Sequence, residues 1–283
     1  MNKTLIKHHI GTTLFCIVFG VFLLFLFFLV REFIYDNNDD AIIYTPSSTN
    51  LIHNGTLCNN SKCDKSFKAS LFQGYINDFS AKQLSDHINS LPKGSWLCLS
   101  SPGGISDSGN EISALLQSNE INTCSAPIQI PGGAIVATSC GSACARVWLS
   151  GSKRLISTDN AFIGFHAAYA GKDLRYYVIN EYKTWRAKRD AIQIARTESE
   201  EIAFEELYNK GSSCDADHLY RIGSTEARRL KLISSEESDE NWRWIPDDPE
   251  FKHYGLPHGG VCDISNLEPI HGMNNTALAR KPK

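Results

Sequence analysis

The chain has 283 residues, of which 42% are hydrophobic and 21% charged, enough apolar material for one good-sized domain with extensions or two small ones. A formal net charge of −3, from 28 Lys and Arg against 31 Asp and Glu, leaves only short basic clusters and no electrostatic footprint for nucleic acid. From the N-terminus, Lys3 and Lys7 precede an uncharged apolar stretch, Ile10 to Val30, and Glu32, Asp36, Asp39 and Asp40 follow it. As a helix that stretch spans roughly 30 Å, the thickness of a bilayer core. The charge asymmetry places residues 1–9 in the cytoplasm and everything after Arg31 across the membrane, in a periplasmic or other extracytoplasmic space. An uncleaved transmembrane anchor over 10–30 is expected. A cleavable signal peptide would have a shorter apolar core and a small-x-small site, which nothing between Val30 and Ile43 resembles.

One cysteine, Cys16, lies in that span; the other eight (Cys58, Cys63, Cys98, Cys124, Cys140, Cys144, Cys214, Cys262) lie beyond it. An even count in an oxidising compartment suggests disulfides. Zinc is the alternative, but no C-x₂-C pair occurs, so no metal site is expected. The pairing is left open, with Cys58–Cys63 the most local candidate.

Residues 31–68 are polar, contain Pro46 and two glycosylation sequons (Asn54-Gly55-Thr56 and Asn59-Asn60-Ser61), and read as a stalk. From Ala69 the pattern changes. Ala69 to Ile76 suggests a strand and turn, and Ser80 to Leu91 a helix with Leu84, His87, Ile88 and Leu91 on one face. Trp96-Leu-Cys-Leu-Ser100 is a short apolar strand fit for a covered sheet. It runs into Ser101-Pro-Gly-Gly104 and a second helix, for which Ser108 and Glu111 form a capping box. Strands are expected near Pro127–Ile130 and, weakly, Ala134–Ala137. The β-α-β-β-α order, with glycine at strand exits, indicates an α/β domain with ligand chemistry at the carboxyl edge.

Thr138-Ser-Cys-Gly-Ser-Ala-Cys-Ala145 then opens an apolar helix, followed by a turn at Gly151–Arg154 and a strand ending in Gly164-Phe-His166. A serine among small residues at a helix mouth is a candidate nucleophile, and a histidine downstream a candidate base. Small neighbours admit a substrate carbonyl, and the first helical turn offers unpaired N–H groups to an oxyanion. The bland alternative is tight helix packing and a core histidine. A long helix is expected from about Leu174 to Asn209, and another helix starts at Ser224. The stretch from Glu236 onward reads as an irregular tail that Cys262 could tie down.

In three segments the chain resembles the proteolytic subunit of Clp protease, within the wider crotonase-like superfamily. Leu99-Ser-Ser-Pro-Gly-Gly104 is similar to that family's oxyanion loop, Gly141-Ser-Ala143 with Ala145–Gly151 to its nucleophile segment, and Ala161–His166 to the strand bearing its histidine. Arg221–Ile233 resembles the closing helix. The resemblance covers roughly 69–235 and is nearest to membrane-anchored or secreted bacterial Clp-like proteins, in which the serine also stands between two cysteines. It implies a spiral of β-β-α units, Ser142 as nucleophile, His166 as general base, and N–H groups of Gly104 and Ala143 as the oxyanion hole. The family's aspartate would fall on Leu219, so Asp217 or, next, Asp215 is expected to serve. The implied protein is a serine endopeptidase needing no cofactor, acting on peptide or unfolded protein. It would be held at the membrane by residues 10–30, with self-association open. No nucleotide motif occurs, so no ATPase partner is implied. Two other classes stay open: an acyl-thioester enzyme of the crotonase type, and a catalytically silent module that holds a partner at the membrane.

Overall fold

The computed structural model describes residues 51–60, 62–166, 191–214, 218–233, 241–253 and 260–262. Its mixed α/β architecture has two sheets. The larger contains β1 (Ile52–Cys58), β2 (Ser66–Gln73), β3 (Trp96–Ser100), β4 (Asn122–Ser125), β5 (Ile128–Gln129), β6 (Ile135–Val136), β8 (Arg154–Ile156) and β11 (Arg243–Pro246), in the spatial order β6-β5-β11-β1-β2-β3-β4-β8. The smaller contains β7 (Thr138–Gly141), β9 (Ala161–Phe165), β10 (His218–Ile222) and β12 (Gly260–Val261), in the order β12-β10-β9-β7. Among the described residues the named helices are α1 (Asp78–Ser90), α2 (Ser106–Ser118), α3 (Ala143–Leu149), α4 (Glu198–Ser212) and α5 (Ser224–Arg229).

Strands β2, β3, β4 and β8 run parallel, and helices cover one face of them. Alternation along the strands sends Phe72, Leu97 and Leu99 to that face, against Leu84 and Ile88 of α1, Ile112 and Leu116 of α2 and Trp148 of α3. Leu71, Cys98 and Cys124 point the other way, into a second cluster with Leu57, Trp242, Trp244 and Phe251. Both faces of β3 are therefore buried, which is why its sequence is apolar throughout. Cys98 and Cys124 are register partners on adjacent strands and form a disulfide. Three further disulfides join Cys58 to Cys63, Cys140 to Cys144 and Cys214 to Cys262.

Four expectations change. Residues 52–58 and 66–68, assigned to the stalk, enter the sheet instead: β1 pairs antiparallel with β2 from Ile52↔Phe72 to Cys58↔Ser66. The C-terminal stretch is not wholly irregular, because β11 pairs with β1 and seats the buried Trp244 indole against Gly55 and the carbonyl of Ala69. The domain thus draws on residues either side of 69–235. The helix foreseen over 174–209 is interrupted: residues 191–194 are helical, 195–197 are not, and α4 restarts behind Thr197, whose hydroxyl accepts the N–H of Glu200. Finally, α2 has no capping box. Ile105 is its N-cap without a side-chain bond, and the Ser108 hydroxyl donates across to Asp78 at 2.8 Å. The reciprocal box belongs to α1, between Asn77 and Ser80.

Among the described residues no helix is long and apolar enough to cross a membrane. The span expected at 10–30 lies outside them.

Candidate active site

Three parallel strand ends converge on one edge. Ser101, just past β3, forms a parallel bridge with Cys140 of β7: its N–H donates to Ser139 O at 2.8 Å and its carbonyl accepts from Gly141 N–H at 2.9 Å. Strand β7 in turn runs parallel to β9, with Cys140 beside Ile163 and Gly141 beside Gly164. The Ser-Pro-Gly-Gly loop, Ser142 and His166 thus leave the carboxyl ends of neighbouring strands side by side, where ligands meet open parallel sheets. Ser142 and His166 are both half-buried.

Ser142 is the N-cap of α3, with φ +55° and ψ −125°, a backbone region that costs a non-glycine residue of order 1–3 kcal/mol. Its neighbours hold two sides of that conformation. The Ser142 N–H donates to Gly164 O at 2.9 Å, tying the elbow to the strand that carries His166. On the other side stands Gly103, at φ +103°. A Cβ there would come 2.5 Å from Ser142 Cβ and 2.6 Å from Gly141 O, so only glycine permits the approach. The loop is fixed further by Gly103 N–H donating to Ser101 Oγ at 3.0 Å. A parallel bridge to Ile76 completes it, using Gly103 O and Ile105 N–H.

That bridge leaves the N–H of Gly104, at φ +146°, out of its pair of bonds. Ala143 is the first residue of α3, where an N–H has no intrahelical carbonyl to serve. Ala143 packs closely on Gly109 of α2, where an added Cβ would lie 3.2 Å from its own, so the helix start is held from behind.

The histidine strand is fitted just as tightly. Gly211 of α4 lies so near Phe165 and His166 that a Cβ would reach 2.6 Å from Phe165 Cβ and 3.1 Å from His166 N. Strand β10 runs antiparallel to β9, pairing Tyr220 with Phe165. Leu219 stands just before Tyr220 in β10 and pairs with Val261 of β12. Leu219 is 6% exposed, and its side chain covers Gly164 and Gly141. The position to which the family's aspartate would map is therefore filled by an apolar side chain. Asp215 and Asp217 lie outside the described residues.

A second serine–histidine pair lies elsewhere. His87 Nε2 stands 2.7 Å from Ser70 Oγ, and burial pushes the pKa of His87 down. Ser70 is 5% exposed in mid-strand, with no glycine loop or strand exit beside it, so substrate has no approach there. Sequence reasoning placed the double-glycine loop and position 219 near the candidate pair, but missed Gly211 behind the histidine strand. Gly211 depends on long-range packing, and no local signal marks it. No group of three or more His, Cys, Asp or Glu residues suited to a metal occurs among the described residues. No family model matches the chain, and no curated protein matches it.

Proposed function

We propose that the protein is a serine peptidase of Clp-like β-β-α architecture, tethered by residues 10–30 with its domain on the extracytoplasmic side. What carries the reading is the strained elbow at Ser142, locked by the carbonyl of Gly164 on the histidine strand and by the glycine loop opposite. Strain of this kind is kept where a side chain must be presented outward. In the proposed reaction His166 accepts the hydroxyl proton as Ser142 Oγ attacks the amide carbonyl, then returns it to the leaving amine. N–H groups of Gly104 and Ala143 hold the oxyanion, each worth about 3–4 kcal/mol of barrier. Water, activated by the same imidazole, releases the acyl group. Asp217 or Asp215 would orient the ring. The substrate is a peptide or unfolded segment, handled without an ATP-driven partner, and self-association is compatible with this scheme.

One observation favours a second reading, a catalytically silent module holding a partner at the membrane. It is the buried, apolar Leu219, packed on Gly164 and Gly141, at the position where the family's aspartate would fall. The two readings part on one experiment with the full chain in detergent. Ser142→Ala should abolish labelling by a fluorophosphonate probe that marks the wild type. Equal labelling of both proteins rules out this nucleophile, and no labelling of either supports the silent module.

A further inference from the structure

The Cys140–Cys144 disulfide encloses Ser142 in the smallest disulfide-closed loop among the described residues. The four sequence separations are 4 for this pair, 5 for Cys58–Cys63, 26 for Cys98–Cys124 and 48 for Cys214–Cys262. Constraint of the unfolded chain grows with the loop that is closed, so this ring adds least to global stability. Its anchors, however, are among the most firmly held points near the site. Cys140 is paired on both sides, with Ser101 and with Ile163. Cys144 lies in the first turn of α3, and both cysteines are fully buried. Between them stand only Gly141, Ser142 and Ala143, the middle one in its costly conformation.

We infer that the Cys140–Cys144 disulfide is a positioning device for the Ser142 hydroxyl, fixing the elbow's reactive geometry rather than the stability of the fold. The inference rests on the peptidase reading. Without the bond, φ and ψ at Ser142 can relax toward an ordinary helix start, turning Oγ away from an attacking position. A displacement of about 1 Å at a reacting atom costs on the order of 100-fold in rate. Cys98–Cys124 supplies the contrast. It also is buried, but it staples two parallel strands in mid-sheet and closes a longer loop.

The test compares the full chain in detergent as wild type, Cys140→Ala/Cys144→Ala, Cys140→Val/Cys144→Ala (which refills part of the lost volume) and Cys98→Ala/Cys124→Ala. For each, the fluorophosphonate labelling rate per folded molecule, its pH profile and the thermal midpoint are measured. Opening the elbow ring should slow labelling by about 10- to 100-fold with an unchanged pH midpoint and a small thermal shift. Opening the mid-sheet bond should do the reverse. Unchanged labelling in either elbow variant overturns the inference, as does unfolding of both, since the bond would then act through stability. A wild type that does not label, or that labels equally after Ser142→Ala, sinks the peptidase reading instead, and is told apart by that control.

Discussion

The two ends of α3 are built on opposite principles. At its N-terminus the chain is strained, small-sided and half-open, with no side-chain cap on the first turn. At its C-terminus every carbonyl is taken up. Thr123 Oγ1 donates to Trp148 O at 2.6 Å, Arg154 Nη1 to Leu149 O at 2.8 Å, and Arg196 Nη2 to Ser150 O at 2.8 Å. Both guanidinium groups also donate to Gly151 O, and Arg154 reaches Leu232 O as well. Two cations at the negative end of a helix complement its dipole. Glu200 neutralises part of their charge by pairing with Arg154, and its other oxygen accepts from the backbone N–H of Arg196. A seven-residue helix has little intrinsic stability. Its C-terminal end supplies what is missing by being fastened to β8, α4 and the chain after α5, while the strained serine at the other end is held by its own contacts with Gly103 and Gly164.

The most direct way to break that arrangement is Arg154→Leu. Arg154 and Glu200 side chains are 6% and 14% exposed, so removing the cation leaves a mostly buried carboxylate beside two emptied carbonyls, those of Leu149 and Leu232, while Gly151 O keeps Arg196. Losing one partner of a buried pair typically costs about 3–5 kcal/mol. Urea unfolding should show a loss of that size. Labelling of the molecules still folded should persist, because the elbow is fixed separately by Gly103 and Gly164. If Arg154→Leu silences Ser142 at full stability, the two ends are coupled and the contrast fails.

The converse change is Gly103→Ala. The positive φ alone costs an L-residue about 1–2 kcal/mol, and the added methyl would run into Ser142 Cβ and Gly141 O. Since that contact is with the elbow itself, labelling should fall about 100-fold while the urea midpoint falls modestly. A Gly103→Ala protein that labels at the wild-type rate would show that the loop does not set the serine's position.

What could be read from the chain beforehand follows the range of the forces involved. Trp96–Ser100, the double-glycine loop and the Gly-Ser-Ala helix start carry their signals within a few residues, so composition and spacing suffice. Strands β1 and β11 do not. Their pairing joins Gly55 to Pro246 and Cys58 to Arg243, and the stretch around Trp244 has no periodicity until β1 is beside it. The break at 195–197 was hidden for a similar reason. No proline or glycine marks it, and the chain turns there because Arg196 is drawn to the carbonyls of Ser150 and Gly151. Around His166 the local motif was legible, but its surroundings come from Gly211 and Leu219, each far along the chain.

A smaller effect separates the fastened end of α3 from the support behind the histidine strand. Glu206 and Lys210 of α4, Tyr220 of β10, and Glu226 and Arg229 of α5 form one cluster. Hydrogen bonds from Arg229 at 2.7 and 2.8 Å, with the nearby charges of Arg229 and Lys210, hold the Glu226 carboxyl down to about 2. A carboxyl whose folded pKa is depressed stabilises the fold fully above its ordinary value near 4.5, and that stabilisation is lost as pH falls toward 2. Glu200 acts in the same direction: burial raises its pKa, but the charge of Arg154 and the bonds from Arg196 and Arg154 outweigh it. Both regions therefore contribute to acid unfolding. The cluster around Glu226 is partly solvated, so its share should be no more than about 1 kcal/mol. Thermal midpoints of wild type and Glu226→Gln, followed from pH 6 to pH 2, should converge as pH falls through that window. If the gap between them stays constant, the ion cluster gives α4 and α5 no acid-sensitive hold on β10, and the acid response belongs to the Arg154–Glu200 end alone.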